Sequence, residues 1–459
     1  MENKLNTSLI THNNDSVTEF SYSVVLKKDI SDQVPGVGIA TLINSISLKQ
    51  SLLRYAISLE ISLIDGINLV EDGLLALGSV IEVTLFKFED DAPENKIFLK
   101  FYVTNIENSI QTTRQKERVY DIVAYTFPAV TNAWPLQQFY PEQKPTDVIK
   151  QIVEDRFIKP VTPFITEAEK IGTGDNWIDS KNVIKNGFIF HQIKPFDAIS
   201  RLLSQSLSSQ SDDSTYFFYQ DYQGFKLRTA RSIASDINKQ RAWKYTFYPE
   251  RNNPTTGNSV EQAYFRVLYL SQYDHSNYFD LIASGVLRSE IVLIDLVNRQ
   301  VKTPTKTFKY EDDNKNIFLL GENSAIDTSY PIFARNKELD PRGLKYDFTP
   351  ASYIAVSENA WERDDYLEEK YLYARAQRSL LEQTKITIEV YGNPAIKPGD
   401  IVNLNVPAKS AYEDDEDSNR QSGDFIVGAV KHNVKDTVFQ TYVDLYKDAY
   451  EKDVLNGAP

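Results

Sequence analysis

The 459-residue chain contains no cysteine. Disulfide staples, thiolate metal sites and thiol nucleophiles are therefore excluded. Histidine is scarce: His12, His191, His275 and His432 are the four present, and no two lie within five residues. This spacing excludes an HExxH zinc helix, and no GxSxG nucleophile elbow occurs. Each histidine reads as a surface or loop residue. There is one methionine. Long apolar runs are also missing. The most apolar stretch, Ile57 to Leu85, is interrupted by Glu60, Asp65, Asn68, Glu71 and Asp72, whereas a membrane span needs ~20 clean residues. The first fifteen residues are polar, with no basic segment leading into an apolar one, so a soluble chain made in the cytoplasm is expected. Positive charge is in deficit, with 50 Lys and Arg against 64 Asp and Glu, a net −14. That balance argues against duplex DNA wrapped on the surface, though not against nucleic acid that must pass by without adhering.

Abundance lies in the aromatics, 27 Tyr and 24 Phe. These residues favour strands and interfaces, so a β-rich protein that assembles is expected. The predicted fold class is mainly β with α+β insertions. Residues 1–16 read as a flexible arm. Residues 17–130 read as an antiparallel β-barrel or sandwich, with strands at Tyr55–Ile64, Val80–Phe88, Ile97–Val103 and Arg118–Phe127, and a turn at Asp65-Gly66. Residues 131–240 read as a mixed α+β insertion. In it, Thr146-Asp147 is the expected N-cap of one helix, Pro195-Phe196 opens a second, Ser204–Ser214 is a polar helix end and loop, and a hairpin turns at Asp221–Gly224. Strands return over 241–304. Segment 305–384 reads as a loop-rich insertion ending in a helix over 361–383. Residues 385–450 complete the second β domain, and 451–459 form a tail. Along the last strand Phe439, Thr441, Val443 and Leu445 share one face.

Chemistry-bearing constellations are weak. Glu60, Asp65, Glu82 and Asp121 resemble carboxylates on exposed strand faces more than a glycosidase pair. The run Glu413-Asp414-Asp415-Glu416-Asp417 lacks the internal glycine of a calcium loop. It reads as a solvated loop, with a channel-facing or contact surface as the functional alternative. No catalytic, cofactor-binding or metal-binding residue is assigned.

The order of turns and strands is more informative. Gly392-Asn393-Pro394 and Pro398-Gly399-Asp400 bracket a bridge into a strand that ends at Pro407; Gly423 opens another strand running through His432. With Asp65-Gly66 and the Pro195-Phe196-Asp197-Ala198-Ile199 helix start, this order resembles the baseplate central hub proteins of contractile-tailed phages, a family shared with phage-like injection machines and type VI spike hubs. The glycines and prolines would shape turns, Gly392 and Gly399 at positive φ, and perform no reaction. The resemblance implies two tube-type antiparallel barrels per chain and a homotrimer whose six barrels form a pseudo-sixfold ring. It further implies a virion location in the tail baseplate, no cofactor and no enzymatic activity. The implied partners are the central spike, the tail tube or its initiator, the tape-measure protein and inner baseplate or wedge proteins, with DNA crossing the lumen unbound. The same hub in a non-viral machine, a tail-associated cell-wall hydrolase and a receptor-binding tail protein are the alternatives.

Overall fold

The computed structural model describes residues 10–12, 20–30, 36–87, 96–111, 118–162, 164–184, 187–211, 213–236, 242–247, 265–274, 281, 286, 288–295, 299–302, 307–309, 318–323, 352–358, 372–382, 384–407, 420–435 and 438–450. The acidic run 413–417, His275, most of segment 305–350 and the tail 451–459 lie outside them.

Strands β1 (Ile10–His12), β2 (Phe20–Lys27), β3 (Val37–Gly38), β4 (Ile43–Ser51), β5 (Ser58–Asp65), β6 (Val80–Lys87), β7 (Lys96–Gln111) and β8 (Arg118–Tyr125) make the first barrel. The order is β2-β6-β7-β8-β5-β4, all antiparallel, and β3 pairs back onto β2 just before the chain enters β4. The period-two pattern drives this arrangement. Leu59, Ile61 and Leu63 of β5 and Tyr120, Ile122 and Ala124 of β8 all point into one core, and water-facing residues alternate with them. Within the sequence-predicted N-terminal arm, residues 10–12 pair with residues 20–22. Asp65-Gly66 does not close a hairpin: β5 lies between β4 and β8, not beside β6. Instead the buried Asp65 carboxylate accepts from the N–H groups of Ile67 and Leu69, at 2.9 and 2.8 Å, and shapes the loop that follows.

The insertion holds α1 (Phe127–Thr131), β9 (Leu136–Tyr140), α2 (Pro145–Val153), β10 (Phe188–Ile193), α3 (Pro195–Leu203), the hairpin β11 (Tyr216–Asp221) and β12 (Gly224–Thr229), and α4 (Ala230–Ala234). Helix α2 starts ahead of the expected Thr146-Asp147 cap: Lys144 takes the N-cap position, two residues before Thr146. Pro145 occupies the first turn and no side chain caps the helix. The Thr146 hydroxyl is buried and accepts from the Ser180 N–H at 3.1 Å. The polar stretch Ser204–Ser214 follows the end of α3 as an irregular turn, with Ser204, Ser209 and Gln210 exposed and Ser206, Leu207, Ser208, Asp213 and Ser214 buried. Its polar groups are satisfied internally, with Asn182 Oδ1 accepting from the Leu207 N–H and Asp213 from the Thr215 and Arg231 N–H groups.

The chain then enters β13 (Ala242–Phe247) and β14 (Arg266–Asp274). A small satellite sheet follows: β15 (Arg288–Asp295), β16 (Gln300–Lys302), β17 (Thr307–Lys309) and β18 (Ser352–Glu358). Helix α5 (Ala374–Leu381) leads into β19 (Thr384–Tyr391), β20 (Ile401–Asn405), β21 (Gly423–Lys435) and β22 (Val438–Lys447). The second barrel closes completely, in the cyclic order β13-β14-β19-β22-β21-β20. It is antiparallel except at β13, which runs parallel to both neighbours. Both neighbours lie well downstream in the chain, β14 beginning at Arg266 and β20 at Ile401, and parallel neighbours cannot be joined by a tight turn. The closed six-strand barrel and the predominance of strand agree with the expected fold class.

Candidate functional site: the junction between the barrels

Strand β21 belongs to both barrels. Its first residues, Gly423–Ile426, pair with β20, and Ala429–Lys435 pair with β4, while β22 runs along its other edge. The changeover falls at a bulge around Gly428, whose carbonyl accepts from the Leu52 N–H at 2.8 Å. A Cβ at Gly428 would overlap the Tyr446 ring. The two barrels are thus one continuous sheet.

The far end of the β21–β22 hairpin enters the first barrel. Val434 and Phe439 are part of that barrel's core, and the Phe439 ring lies 5.4 Å from Phe20 and 5.9 Å from His432, centroid to centroid. Gly392 makes room for it. The Gly392 N–H donates to the Phe439 carbonyl at 2.9 Å, and a Cβ there would overlap the Phe439 ring. This corrects the positive-φ expectation for Gly392: the residue is glycine for lack of space. Positive φ does hold at Gly399 (+84°) and at Gly423 (+109°).

The bridge from Gly392 to Asp400 is held on both sides. Asn393 is buried. Its N–H donates to Thr441 Oγ1 at 2.9 Å, its Nδ2 to the Tyr245 hydroxyl at 2.9 Å, and its Oδ1 accepts from the Ala395 N–H, so it laces β13, β22 and the bridge together. Pro394 follows within this turn. Asp400 Oδ2 accepts from Trp243 Nε1 at 3.0 Å and from the Lys397 N–H at 3.1 Å. On the opposite side the tip of the β11–β12 hairpin docks. The Tyr222 hydroxyl donates to the Ala395 carbonyl at 3.0 Å, and Lys397 Nζ donates to Gln223 Oε1 at 2.8 Å. A side chain at Gly399 would collide with the Tyr219 hydroxyl.

Four charged groups gather here. Asp221 is 1% exposed; its Oδ1 accepts from the Gln223 N–H at 2.8 Å, and its Oδ2 faces Lys226 Nζ at 3.8 Å. Burial raises the Asp221 carboxyl above its ordinary value and lowers the Lys226 ammonium. Burial also pushes Asp400 up to about 6, against the pull of Lys397. A carboxyl raised from an unfolded value near 3.9 binds its proton more tightly in the folded state, so its ionisation costs stability. That cost is absent below about pH 4 and complete above pH 6, at about 2–3 kcal/mol. Asp400→Asn retains the acceptor oxygen and removes the cost. Urea unfolding should show the variant more stable than the parent at pH 7.5, with the gain vanishing by pH 4; a variant weaker at both values would refute this account.

His432 is 1% exposed, within β21, which corrects its reading as a surface histidine. Its Nδ1 lies 3.1 Å from Thr441 Oγ1, its Nε2 has no hydrogen-bond partner among the described residues, and burial drives its pKa down to about 3. Of the other motif residues, Gly423 opens β21, whereas Pro407 lies beyond the end of β20. Pro195 and Phe196 start α3, with the Phe196 N–H donating to Asn132 Oδ1 at 2.8 Å and its ring 5.1 Å from Tyr55. They serve the insertion core, and Asp65 serves the first barrel; neither reaches the junction. Among the considered carboxylates, Glu60 pairs with Lys49 at 3.1 Å and Glu82 with Lys27 at 2.9 Å. Among the described residues, no cluster of three or more His, Asp or Glu could hold a metal. Reading the sequence missed Gly428 and Lys226; it placed Phe439 on one face of the last strand and Asp221 in the hairpin turn but gave neither a part in joining the barrels. The buried hydrogen bonds and shared strand make this junction a rigid coupling between barrels.

No protein-family model matches the chain, and no curated protein is similar to it in sequence. Solved structures do share its fold. The tail protein from Neisseria meningitidis MC58 superposes with a TM-score of 0.52 at 10% identity, over 93% of this chain and 97% of its own. The 43 kDa tail protein of prophage MuSo2 from Shewanella oneidensis gives 0.51 at 10% identity, over 94% of this chain and all of its own. The chain has the fold of phage-type tail proteins, as its resemblance to baseplate hubs implied.

Proposed function

We propose that the chain is a structural hub of a contractile-tail baseplate, working as a homotrimer between tail tube and central spike. The observation that carries this reading is β21. One strand built into two barrels fixes them side by side, so that three chains supply six tube-type units already linked in pairs. A ring built on threefold symmetry then presents a near-sixfold face to the tube and a threefold face to the spike. The reading assigns the protein no catalysis. The residues that assemble at the junction are buried against one another, and each has a packing or hydrogen-bonding role. DNA would cross the lumen without specific contacts, and the tape-measure protein and inner baseplate proteins are the remaining partners on this reading.

Native mass spectrometry of the purified chain should give an ion of three times the 52.5 kDa protomer. Electron cryomicroscopy of that species should show six barrels around an open channel. A monomer persisting at the highest attainable concentration, or a closed axis, would sink the proposal.

A further inference from the structure

A cavity of about 340 Å³ lies where three parts of the chain meet: the turn after β4, the α3–β11 face of the insertion, and helix α5. Its wall is apolar. Leu52, Leu203 and Phe218 are buried in it, and the Tyr55 ring packs 5.6 Å from Phe218. Its charge is one-sided. Arg375, in the first turn of α5, and Arg378, in its last, are the charged residues in its lining, and no carboxylate lines it, although the chain carries a net −14. Asp197 and Glu382 stand outside the lining. Glu382 reaches Arg378 at 3.6 Å along the exposed side of α5, with both side chains about half exposed.

We infer that this cavity is a docking site for an extended segment of another protein, one that presents a large aliphatic or aromatic side chain next to a carboxylate. The volume accepts one or two large side chains and is small for a nucleotide or a polycyclic cofactor. The leucine and aromatic part of the wall takes the side chain, and the remaining N–H donors of Arg378, whose Nε faces Glu382, receive the carboxylate. Seated there, the segment touches the first barrel, the insertion and the element leading into the second barrel, and so clasps all three. The site does not depend on the hub reading: assembly mass tests one and ligand binding the other.

The test uses the full chain with two capped dipeptides, acetyl-Leu-Asp-amide and acetyl-Leu-Asn-amide, followed by ligand-observed NMR. The acid should bind about tenfold more tightly than the amide, since a charge-assisted bond replaces a neutral one. Arg378→Ala should abolish that preference. Ser204→Trp, at an exposed position on the rim, should fill the mouth and abolish binding of both peptides. Equal affinity for the two peptides, or binding indifferent to Ser204→Trp, would overturn the assignment. So would binding that emerges only when residues 451–459 are removed, because the occupant would then be the chain's own tail.

Discussion

Phe439→Ala should lower the unfolding free energy by about 3–5 kcal/mol, the usual cost of emptying a large aromatic site in a packed core. Phe439 is 4% exposed and contributes its ring to the first barrel, although its strand completes the second. The loss should therefore fall on the coupling as well as on total stability. A parent that unfolds in one transition should become a variant whose barrels melt separately, resolved by calorimetry. Gly392→Ala attacks the same contact from the other side. The new methyl overlaps a ring that cannot swing into solvent, which should cost about 1–3 kcal/mol. The double variant is the decisive measurement. With the ring gone, the methyl enters the vacated space, so the combined loss should be smaller than the summed single losses by about 1 kcal/mol or more. Additive losses would show that Gly392 is not there to admit Phe439.

The second barrel was the more legible part of the sequence, and its last strand shows why. Phe439, Thr441, Val443 and Leu445 alternate with more exposed residues, and all four are buried as the period-two pattern requires. The pattern says which face is covered but not by what. Phe439 is buried by one barrel and Val443 by the other. The parallel pairing of β13 is set by connections of tens of residues, which leave no local mark on it. Polar residues misled most. His432 looks solvated in sequence because its partner, the Thr441 hydroxyl on the neighbouring strand, is brought in by folding; Ser206 and Ser208 are buried although their bonds are local, Ser206 Oγ donating to the Leu202 carbonyl and Ser208 Oγ accepting from the Gln210 N–H. The turn residues Gly399 and Asp400 were found because their constraint is local. The charges they meet, Asp221 and Lys226, lie far back in the chain.

Lys226→Met should be among the most damaging single changes to the junction at neutral pH, at about 3–5 kcal/mol, because it strands the buried Asp221 carboxylate. Lys397 would remain to attract it, but its Nζ is bound to Gln223 and it is not the first cation to act on Asp221. The pH dependence separates this mechanism from simple loss of packing. Without Lys226 the folded-state pKa of Asp221, already raised by burial, rises further. The penalty is complete above that value and disappears below the unfolded value near 3.9. Lowering the pH from 7.5 toward 4 should therefore narrow the gap between variant and parent, even as both lose stability through other carboxylates. Asp221→Asn combined with Lys226→Met removes both charges and should recover most of the loss at neutral pH, as neutral replacements of buried ion pairs commonly do. Chemical denaturation of parent, single and double variants at two pH values decides the matter. A gap that stays constant with pH, or a double variant no better than Lys226→Met alone, would mean that the buried aliphatic stem of the lysine holds the junction and its charge does not.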